Sequence, residues 1–403
     1  MNNKYTKFFL APAIFILLLI VYRPAYSNTL IDISAGDKHT CILNSSGNAY
    51  CWGDNAVGQL GNGSTKSSMS PVAVSGNLKF KSISVGWDHT CGITIENDAY
   101  CWGRGRYGSL GNGSPDNSAV PVIVSGGLSF AAVNAGLAHT CAITTNEKAY
   151  CWGRGEGGIL GDRGVSEVAR NYTKSKSSLV PVAVAGEIAF GSINAGSATT
   201  CGISTSGSAY CWGSSDFGNL LGQGPNDTSG KAAPSPVVGG FEFLPQSISV
   251  GLDHVCALGT SDKAICWGRG RYGKLGIGST GKLGVLENLK TPREINGNIS
   301  FALLATGTFQ TCGISTDGKA YCWGRNRHGQ LGDGTSEMRV EPKAVSTNLS
   351  FNNITIGTKH TCAIATNDNV YCWGEGKDGK LGTRSLDNKF VPTKVALNRQ
   401  HRR

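Results

Sequence analysis

The stretch Thr40–Gly53 reads TCILNSSGNAYCWG, and its repetition decides how the rest of the chain is interpreted. Two cysteines ten positions apart flank a short polar turn, and a Tyr-Cys-Trp-Gly run ends the stretch. The pattern occurs seven times and uses all 14 cysteines of the 403-residue chain. The pairs are Cys41 and Cys51, Cys91 and Cys101, Cys141 and Cys151, Cys201 and Cys211, Cys256 and Cys266, Cys312 and Cys322, and Cys362 and Cys372.

Each copy contains four short segments that favour β-strands. A run led by proline, such as Pro71–Val74, precedes a second run, such as Phe80–Gly86, and the His-Thr-Cys and Ala-Tyr-Cys-Trp-Gly runs follow. These segments are rich in β-branched and aromatic residues and are bounded by Gly, Asn or Ser, as strands are. A Gly-x-Leu-Gly loop closes the copy, and the extra residues of longer copies always follow it, where loops tolerate insertions.

Four strands repeated at spacings of 50 to 60 residues between first cysteines predict a closed ring of blades. We therefore predict an all-β fold, a seven-bladed β-propeller of four-stranded antiparallel blades. The chain starts with strands two to four, Ile31–Gly53, and finishes with an isolated first strand, Val391–Val395. We expect the ring to be closed by pairing of these N- and C-terminal strands.

Three elements of the repeat resemble those of the regulator of chromosome condensation (RCC1) family. They are His-Thr-x-x-Ile at His89–Ile93, Ala-Tyr-x-Trp-Gly at Ala99–Gly103, and Gly-x-Leu-Gly-x-Gly at Gly108–Gly113. The resemblance covers residues 30–397 and implies a seven-bladed propeller. The cysteine pairs depart from the nuclear members and fit an exported branch. Members include exchange factors for a small GTPase, chromatin binders, a photoreceptor and secreted β-lactamase inhibitors, so the resemblance leaves function open.

The cysteine spacing predicts seven disulfides, one within each hairpin. With Thr316–Gly318 as a three-residue turn, Cys312 lies opposite Cys322 at a non-hydrogen-bonded position, where Cα atoms are ~4.5 Å apart. That separation suits a disulfide. Such turns need a residue that tolerates positive φ in third place, and only Glu147 among the seven copies is a poor fit. Zinc sites and redox pairs use closer cysteine spacings, so we favour structural disulfides.

The N-terminal residues predict export. Lys4 and Lys7 precede an apolar run that ends near Tyr22, which indicates a signal peptide over residues 1–27. A membrane anchor is the alternative, but the run is short and Pro12 interrupts it. We expect a propeller domain over residues 28–397 and a basic tail over 398–403. Paired cysteines behind an export signal favour a secreted, periplasmic or cell-surface protein.

The charge and the remaining patterns give little support to other classes of function. Removal of Lys4, Lys7 and Arg23 with the signal peptide lowers the net charge from +10 to +7. At this modest charge we expect no nucleic-acid binding. We also expect no membrane span after cleavage. Gly103–Gly108 matches a dinucleotide fingerprint, but no helix is predicted after it. No distinctive catalytic constellation occurs outside the repeats. We therefore expect no enzymatic activity, no cofactor and no metal, and a monomeric protein.

A recurrent histidine before the first cysteine is best interpreted as a link between blades. Thr199 and Gln310 replace it in two copies, and these residues form hydrogen bonds but are poor metal ligands. The five histidines are His39, His89, His139, His254 and His360.

One face of the predicted ring collects large and basic side chains. In a four-stranded meander, the loop after the Trp-Gly run and the turn before the His-Thr-Cys run share a face. Aromatic residues and arginines are enriched at interface hot spots. The candidate binding residues are Trp87, Arg104, Arg106, Tyr107, Leu137, Arg154, Leu252, Arg269, Arg271, Tyr272, Phe309, Arg325 and Arg327. The long insertion and nearby loops add Arg163, Arg170, Tyr172, Lys174, Lys176, Phe217 and Lys377. Alternatively, the arginines after Trp-Gly bind neighbouring loops and have only a structural role.

These observations favour a non-enzymatic module that binds a protein or another macromolecule through this face. An inhibitor of an extracellular enzyme is the concrete version that the resemblance implies. The alternatives are guanine-nucleotide exchange on a small GTPase, again by resemblance, and a surface-structural or adhesive role.

Overall fold

The computed structural model describes residues 29–163, 177–215, 221–226, 229–278 and 288–397. These residues form seven four-stranded antiparallel sheets, each in the simple order first, second, third, fourth strand. The seven-bladed β-propeller is therefore confirmed. The expected signal peptide, the basic tail, Phe217, and the insertion residues from 164 to 176 lie outside the described residues.

The strands are short and recur in the same order in every blade. Blades 1 to 4 contain β1 Leu30–Ala35, β2 His39–Asn44, β3 Ala49–Gly53, β4 Ser68–Ala73, β5 Phe80–Val85, β6 His89–Thr94, β7 Ala99–Gly103, β8 Ser118–Ile123, β9 Phe130–Ala135, β10 His139–Thr144, β11 Ala149–Gly153, β12 Ser178–Ala183, β13 Phe190–Ala195, β14 Thr199–Ser204, β15 Ala209–Gly213 and β16 Lys231–Pro236. Blades 5 to 7 contain β17 Ser249–Val250, β18 His254–Leu258, β19 Ala264–Arg269, β20 Asn288–Glu294, β21 Phe301–Thr306, β22 Gln310–Ser315, β23 Ala320–Gly324, β24 Arg339–Ala344, β25 Phe351–Ile356, β26 His360–Ala365, β27 Val370–Gly374 and β28 Lys389–Lys394. Single 3-10 turns occur at Arg106–Gly108, Glu156–Gly158, Arg271–Gly273 and Lys377–Gly379. No helix in the described part of the chain is long and apolar enough to cross a membrane.

The expected exchange of terminal strands is wrong. Each run led by proline is the outermost strand of the blade that precedes it, so Val72 pairs with Cys51 and Thr393 with Cys372. The loop after the third strand returns the chain directly beside that strand, and this local antiparallel pairing needs no strand from the other terminus. Every blade is thus one continuous stretch of chain, and the ring closes by packing of blade 7 against blade 1.

The hairpin register and the disulfides are confirmed. Cys312 lies opposite Cys322, and all seven pairs are bonded with Cα–Cα distances of 4.1 to 4.2 Å. The third turn residue has positive φ in every copy, from 59° to 86°. Even Glu147 adopts φ 65°, although a glutamate is uncommon there. The register of the hairpin therefore overrides the local preference of that residue.

The hydrophobic core lies between the blades. Cys41 and Leu43 of blade 1 cluster with Phe80, Ile83 and Trp102 of blade 2, and the same arrangement recurs around the ring. At the seam between blades 7 and 1, equivalent residues of both blades form one cluster. No blade has an apolar core of its own, so blades stabilise one another as solenoid repeats do.

A shared carbonyl links each pair of neighbouring blades. The carbonyl of Gln59, the second residue of the Gly-x-Leu-Gly loop in blade 1, accepts hydrogen bonds from Thr90 Oγ1 at 3.0 Å and Trp102 Nε1 at 3.0 Å in blade 2. The carbonyl of Lys380 accepts the same pair from Thr40 and Trp52, at 3.1 Å and 2.9 Å. We call this arrangement the interblade latch. It is present at six seams within the described residues.

The five histidines extend the latch, as the sequence predicts. Nε2 of His39 lies 2.7 Å from Thr90 Oγ1, and His139 contacts Thr200 at 2.9 Å. Each threonine donates its only hydroxyl proton to the loop carbonyl, so the histidine donates from Nε2, and burial favours the neutral form of its ring. Burial lowers the pKa of His39 and His139 to about 3.

Seven glycines form a collar around the axis at the end of the innermost strands. A Cβ atom on Gly36 would lie 1.9 Å from the carbonyl oxygen of Gly86 in the next blade, and one on Gly357 would lie 2.2 Å from that of Gly36. Backbone hydrogen bonds also cross here, for example from Trp87 N to Gly136 O at 3.1 Å. Only glycine permits this approach of neighbouring backbones.

The neutral histidines predict acid lability. In the unfolded chain they protonate near pH 6.5, whereas in the native ring they remain neutral far below that pH. Their stabilising contribution is complete above pH 6.5 and is lost as the pH falls towards about 4, the pKa of His89. Each histidine should cost about 2 kcal/mol at pH 5 relative to pH 7.5.

The measurement is the free energy of unfolding of the oxidised protein at both pH values, in wild type and in His139→Gln. Glutamine occupies the equivalent position in blade 6, as Gln310, so it is the substitution that the fold already accepts. We expect the variant to lose about 2 kcal/mol less than wild type between the two pH values. Equal losses in the two proteins would contradict the assignment.

Candidate binding surface

The loop after the third strand and the turn after the first strand do share one face of the ring. Backbone N–H groups that open the loop donate to turn carbonyls, as from Arg104 to Asp88 at 2.9 Å and from Arg325 to Phe309 at 3.0 Å. Twelve of the 13 candidate residues lie in these two kinds of segment, and Arg269 is the last residue of β19. We call this side of the propeller the loop face, and the side with the three-residue hairpin turns the hairpin face.

Three of the candidate arginines have acidic partners. Arg104 Nε lies 2.9 Å from Asp88 Oδ2, Arg154 binds Glu156, and Arg269 lies 3.7 Å from Asp253. Each of these arginines is thus paired with a carboxylate within its own blade.

A buried ion pair supports the loop face between blades 5 and 6. Lys274 Nζ contacts Asp253 and also lies 3.4 Å from the carbonyl oxygen of Thr308. The side chains of Lys274 and Asp253 are 2% and 8% exposed. Burial lowers the pKa of Lys274, and the nearby carboxylate opposes that effect. Sequence analysis missed this pair, although Lys274 occupies the x position of Gly-x-Leu-Gly, whose carbonyl forms the latch.

Three of the other candidate arginines, Arg106, Arg271 and Arg325, stack on aromatic rings. Arg106 lies 4.6 Å from the centre of the Tyr107 ring. In blades 5 and 6, Arg271 lies 4.7 Å and Arg325 5.0 Å from the Tyr272 ring, and Arg325 also lies 4.9 Å from the Phe309 ring.

The two rings of the blade 5–6 stack are themselves in contact. Tyr272 and Phe309 meet edge to face, with ring centres 5.9 Å apart. We call Arg271, Tyr272, Phe309 and Arg325 the arginine–aromatic stack. The structure thus brings together four candidates that lie up to 54 positions apart in the sequence.

The stacked tyrosines have an unusual backbone conformation. Tyr107 and Tyr272 have φ of 66° and 68°, in the left-handed region that bulky residues seldom adopt. Gly157 occupies the equivalent position in blade 3, with φ 73°. Because glycine would avoid the strain, the retention of tyrosine at these two positions favours a role for its ring.

Trp87, Leu137 and Leu252 line the mouth of the central channel. With Asp37, Ser197, Thr308 and Thr358 they border a cavity of about 290 Å³ on the axis. Trp87 is half-buried there. Asp37 was not recognised from the sequence; burial raises its pKa while a hydrogen bond from Thr358 lowers it.

No group of three or more potential metal-ligating side chains occurs within the described residues. The fold and this face together define a disulfide-linked repeat propeller with a loop-built surface. The model for the regulator of chromosome condensation (RCC1) repeat matches the chain at 30–59, 80–109, 130–158, 192–219, 246–274, 298–330 and 351–380. The chain belongs to the RCC1 repeat family. Each matched segment starts near the first strand of a blade, in agreement with the observed blade boundaries.

Curated relatives match over limited regions. The ultraviolet-B receptor UVR8 of Arabidopsis thaliana is 31% identical over 152 residues, which are 37% of this chain and 32% of the receptor. The regulator of chromosome condensation of Xenopus laevis is 28% identical over 38% of this chain and 34% of that protein. The match to the human E3 ubiquitin-protein ligase HERC2 is 32% identical over 37% of this chain and 3% of the ligase. The matched regions thus cover about a third or less of these relatives' own length.

Solved structures resemble the whole ring. Human WBSCR16 superposes with a TM-score of 0.75 at 18% identity, over 87% of this chain and 94% of that one. Prp20p of Saccharomyces cerevisiae superposes with a TM-score of 0.74 at 20% identity, over 92% and 88% of the two chains. At this level of identity the likeness establishes the fold alone.

The buried ion pair predicts a strong asymmetry between two aspartates in equivalent turns. Asp253→Asn should destabilise the protein by about 3 kcal/mol, because Lys274 would remain buried without a carboxylate. Asp88→Asn is the matched control. Its partner Arg104 is 43% exposed, and breaking that pair should cost at most about 1 kcal/mol.

The measurement is denaturant unfolding of both oxidised variants at pH 7.5. Equal losses would show that burial of Lys274 does not determine the strength of the pair.

Proposed function

We propose that this chain is a non-enzymatic binding module, exported from the cytoplasm, that recognises a protein or another macromolecule through the loop face. The arginine–aromatic stack carries the proposal. Arginine and aromatic side chains supply much of the binding energy of protein interfaces. Here they are concentrated in loops, while the residues that recur in each repeat form the latch and the core.

The division of the arginines supports this choice of face. Those paired with carboxylates position loops, whereas those stacked on rings keep their N–H groups available. The left-handed tyrosines add to the argument, because strained residues concentrate at functional sites. The hairpin face, by comparison, presents short polar turns such as Thr205–Gly207.

The cysteines support export. All 14 are paired, and no free cysteine is present among the described residues. Disulfides form and persist in oxidising compartments and are rare in the cytosol. Removal of residues 1–27 would then release the propeller to a secreted, periplasmic or surface location. Inhibition of an extracellular enzyme is the form of binding that we propose to test first.

Export makes a prediction about the mature product. Its mass should correspond to a chain that starts at Asn28 with seven disulfides and no free thiol, because the signal peptide is removed and the cysteines oxidise. Intact-mass spectrometry with and without a thiol-alkylating reagent, on protein fractionated from its native host, is the measurement. Reduced protein that retains residues 1–27 in the cytosol would contradict it.

Binding through the loop face predicts a face-specific loss of partner capture. Mature oxidised protein should retain its partner from the extracellular fraction, and Trp87→Ala with Arg271→Glu and Arg325→Glu should lose it, because these residues lie in the proposed interface. The control carries Lys148→Glu and Lys319→Glu on the hairpin face. Equal capture by the two variants would rule out this choice of face.

The same proteins also test the rival function. The structure of Prp20p is described together with its binding to Gsp1p and histones. Accelerated release of fluorescent GDP from a small GTPase by the wild-type propeller would favour exchange activity over the proposed role.

A further inference from the structure

The sector of the loop face formed by blades 5 and 6 has guanidinium groups without acidic partners. Arg271 and Arg325 stack on Tyr272. Arg327, two residues after Arg325 in the same loop, is exposed. No ion pair of these three arginines is present within the described part of the chain. They differ in this respect from Arg104, Arg154 and Arg269 on the same face.

Two carboxylates on the loop face of these and the following blade are already engaged in ion pairs. Asp253 is bound by Lys274 and lies 3.7 Å from Arg269. Glu375, on the next blade, lies 2.6 Å from Lys380 Nζ and 3.3 Å from Lys359 Nζ. Among the described residues, the three arginines thus carry positive charge that no carboxylate pairs with, and charge complementarity favours an anionic partner.

Stacking prepares the arginines for a planar anion. A guanidinium held over a ring has less freedom to lose on binding, and its N–H groups can still meet a ligand. These N–H groups match the two oxygens of a carboxylate, which they can bind in a bidentate manner. Arg325 is held by two rings, at 5.0 Å and 4.9 Å, which fixes its position between blades 5 and 6.

We propose that this sector docks an acidic protein segment, whose Asp or Glu carboxylates bind Arg271, Arg325 and Arg327. The inference rests on the proposed function, since it names the chemistry of the partner for the same face. The aromatic rings orient the arginines and pack against the apolar parts of the segment. The engaged carboxylates Asp253 and Glu375 hold the surrounding loops in place.

A fluorescein-labelled octaglutamate is the probe, with labelled octaglutamine as its uncharged counterpart. Wild-type oxidised protein should bind octaglutamate and not octaglutamine in an anisotropy titration, with an affinity that falls as salt is added. The combined variant Arg271→Gln, Arg325→Gln and Arg327→Gln should bind octaglutamate at least about tenfold more weakly, which corresponds to about 1.4 kcal/mol.

The control is Lys148→Gln, Lys263→Gln and Lys319→Gln, which also removes three positive charges, but from the hairpin face. It should change the affinity by less than about twofold, because screening leaves little effect of charges beyond ~10 Å. Equal weakening in the two triple variants would overturn the proposal in favour of net charge alone. Failure of wild type to bind octaglutamate would also overturn it.

Two further comparisons separate the stack from simple charge and carboxylates from other anions. Tyr272→Phe should retain binding, whereas Tyr272→Ala should weaken it, because Arg271 loses its ring and Arg325 keeps only that of Phe309. A phosphoserine peptide, an oligonucleotide or phosphatidylserine vesicles that bind more tightly than octaglutamate, and lose that binding in the arginine variant, would replace the acidic segment as occupant. If face-specific capture succeeds and octaglutamate fails, the proposed function stands and only this inference falls.

Discussion

The interblade latch is the interaction on which the rest of the structure depends. One backbone carbonyl in the Gly-x-Leu-Gly loop accepts hydrogen bonds from both the indole of Trp102 and the hydroxyl of Thr90, or from their equivalents. The latch crosses a seam whose apolar residues come from two blades, so its hydrogen bonds lie in a dry environment where unpaired groups would be costly. Each blade therefore depends on its neighbour both for its apolar core and for the hydrogen bonds of its buried polar groups.

The repeat made the architecture predictable from sequence, and the same regularity concealed its boundaries. Strand identity, hairpin register and disulfide pairing depend on short-range spacing, which a sequence displays directly. The pairing partner of a strand at the edge of a repeat does not depend on short-range spacing alone, because Pro71–Val74 is compatible with pairing in the preceding or the following blade. The latch acceptors are backbone carbonyls, which leave no signature of their own in residue types.

The residue types of the candidate surface could be predicted from the sequence, but not which of its arginines bind carboxylates and which stack on rings. Spacing placed the arginines on one face, but it could not distinguish Arg104, which binds Asp88, from Arg325, which stacks on Tyr272 and Phe309. That distinction depends on which side chains of the blade's own turn and of the neighbouring loop lie within reach. Tyr272 and Phe309 belong to different blades and meet only because the latch fixes how closely those blades approach. Stability and recognition are thus coupled through the seam between blades 5 and 6.

The absence of strand exchange has a consequence for the topology of the chain. Leu30 and Val395 lie in one apolar cluster, and Leu30 N donates to Asp368 of blade 7 at 2.7 Å. The seam between first and last blades therefore resembles the other seams and holds the two ends of the propeller near each other. A circular permutation that joins these ends and opens the chain between blades 1 and 2 would restore the same set of seams. In such a ring, which blade comes first is a matter of gene order and carries no structural meaning.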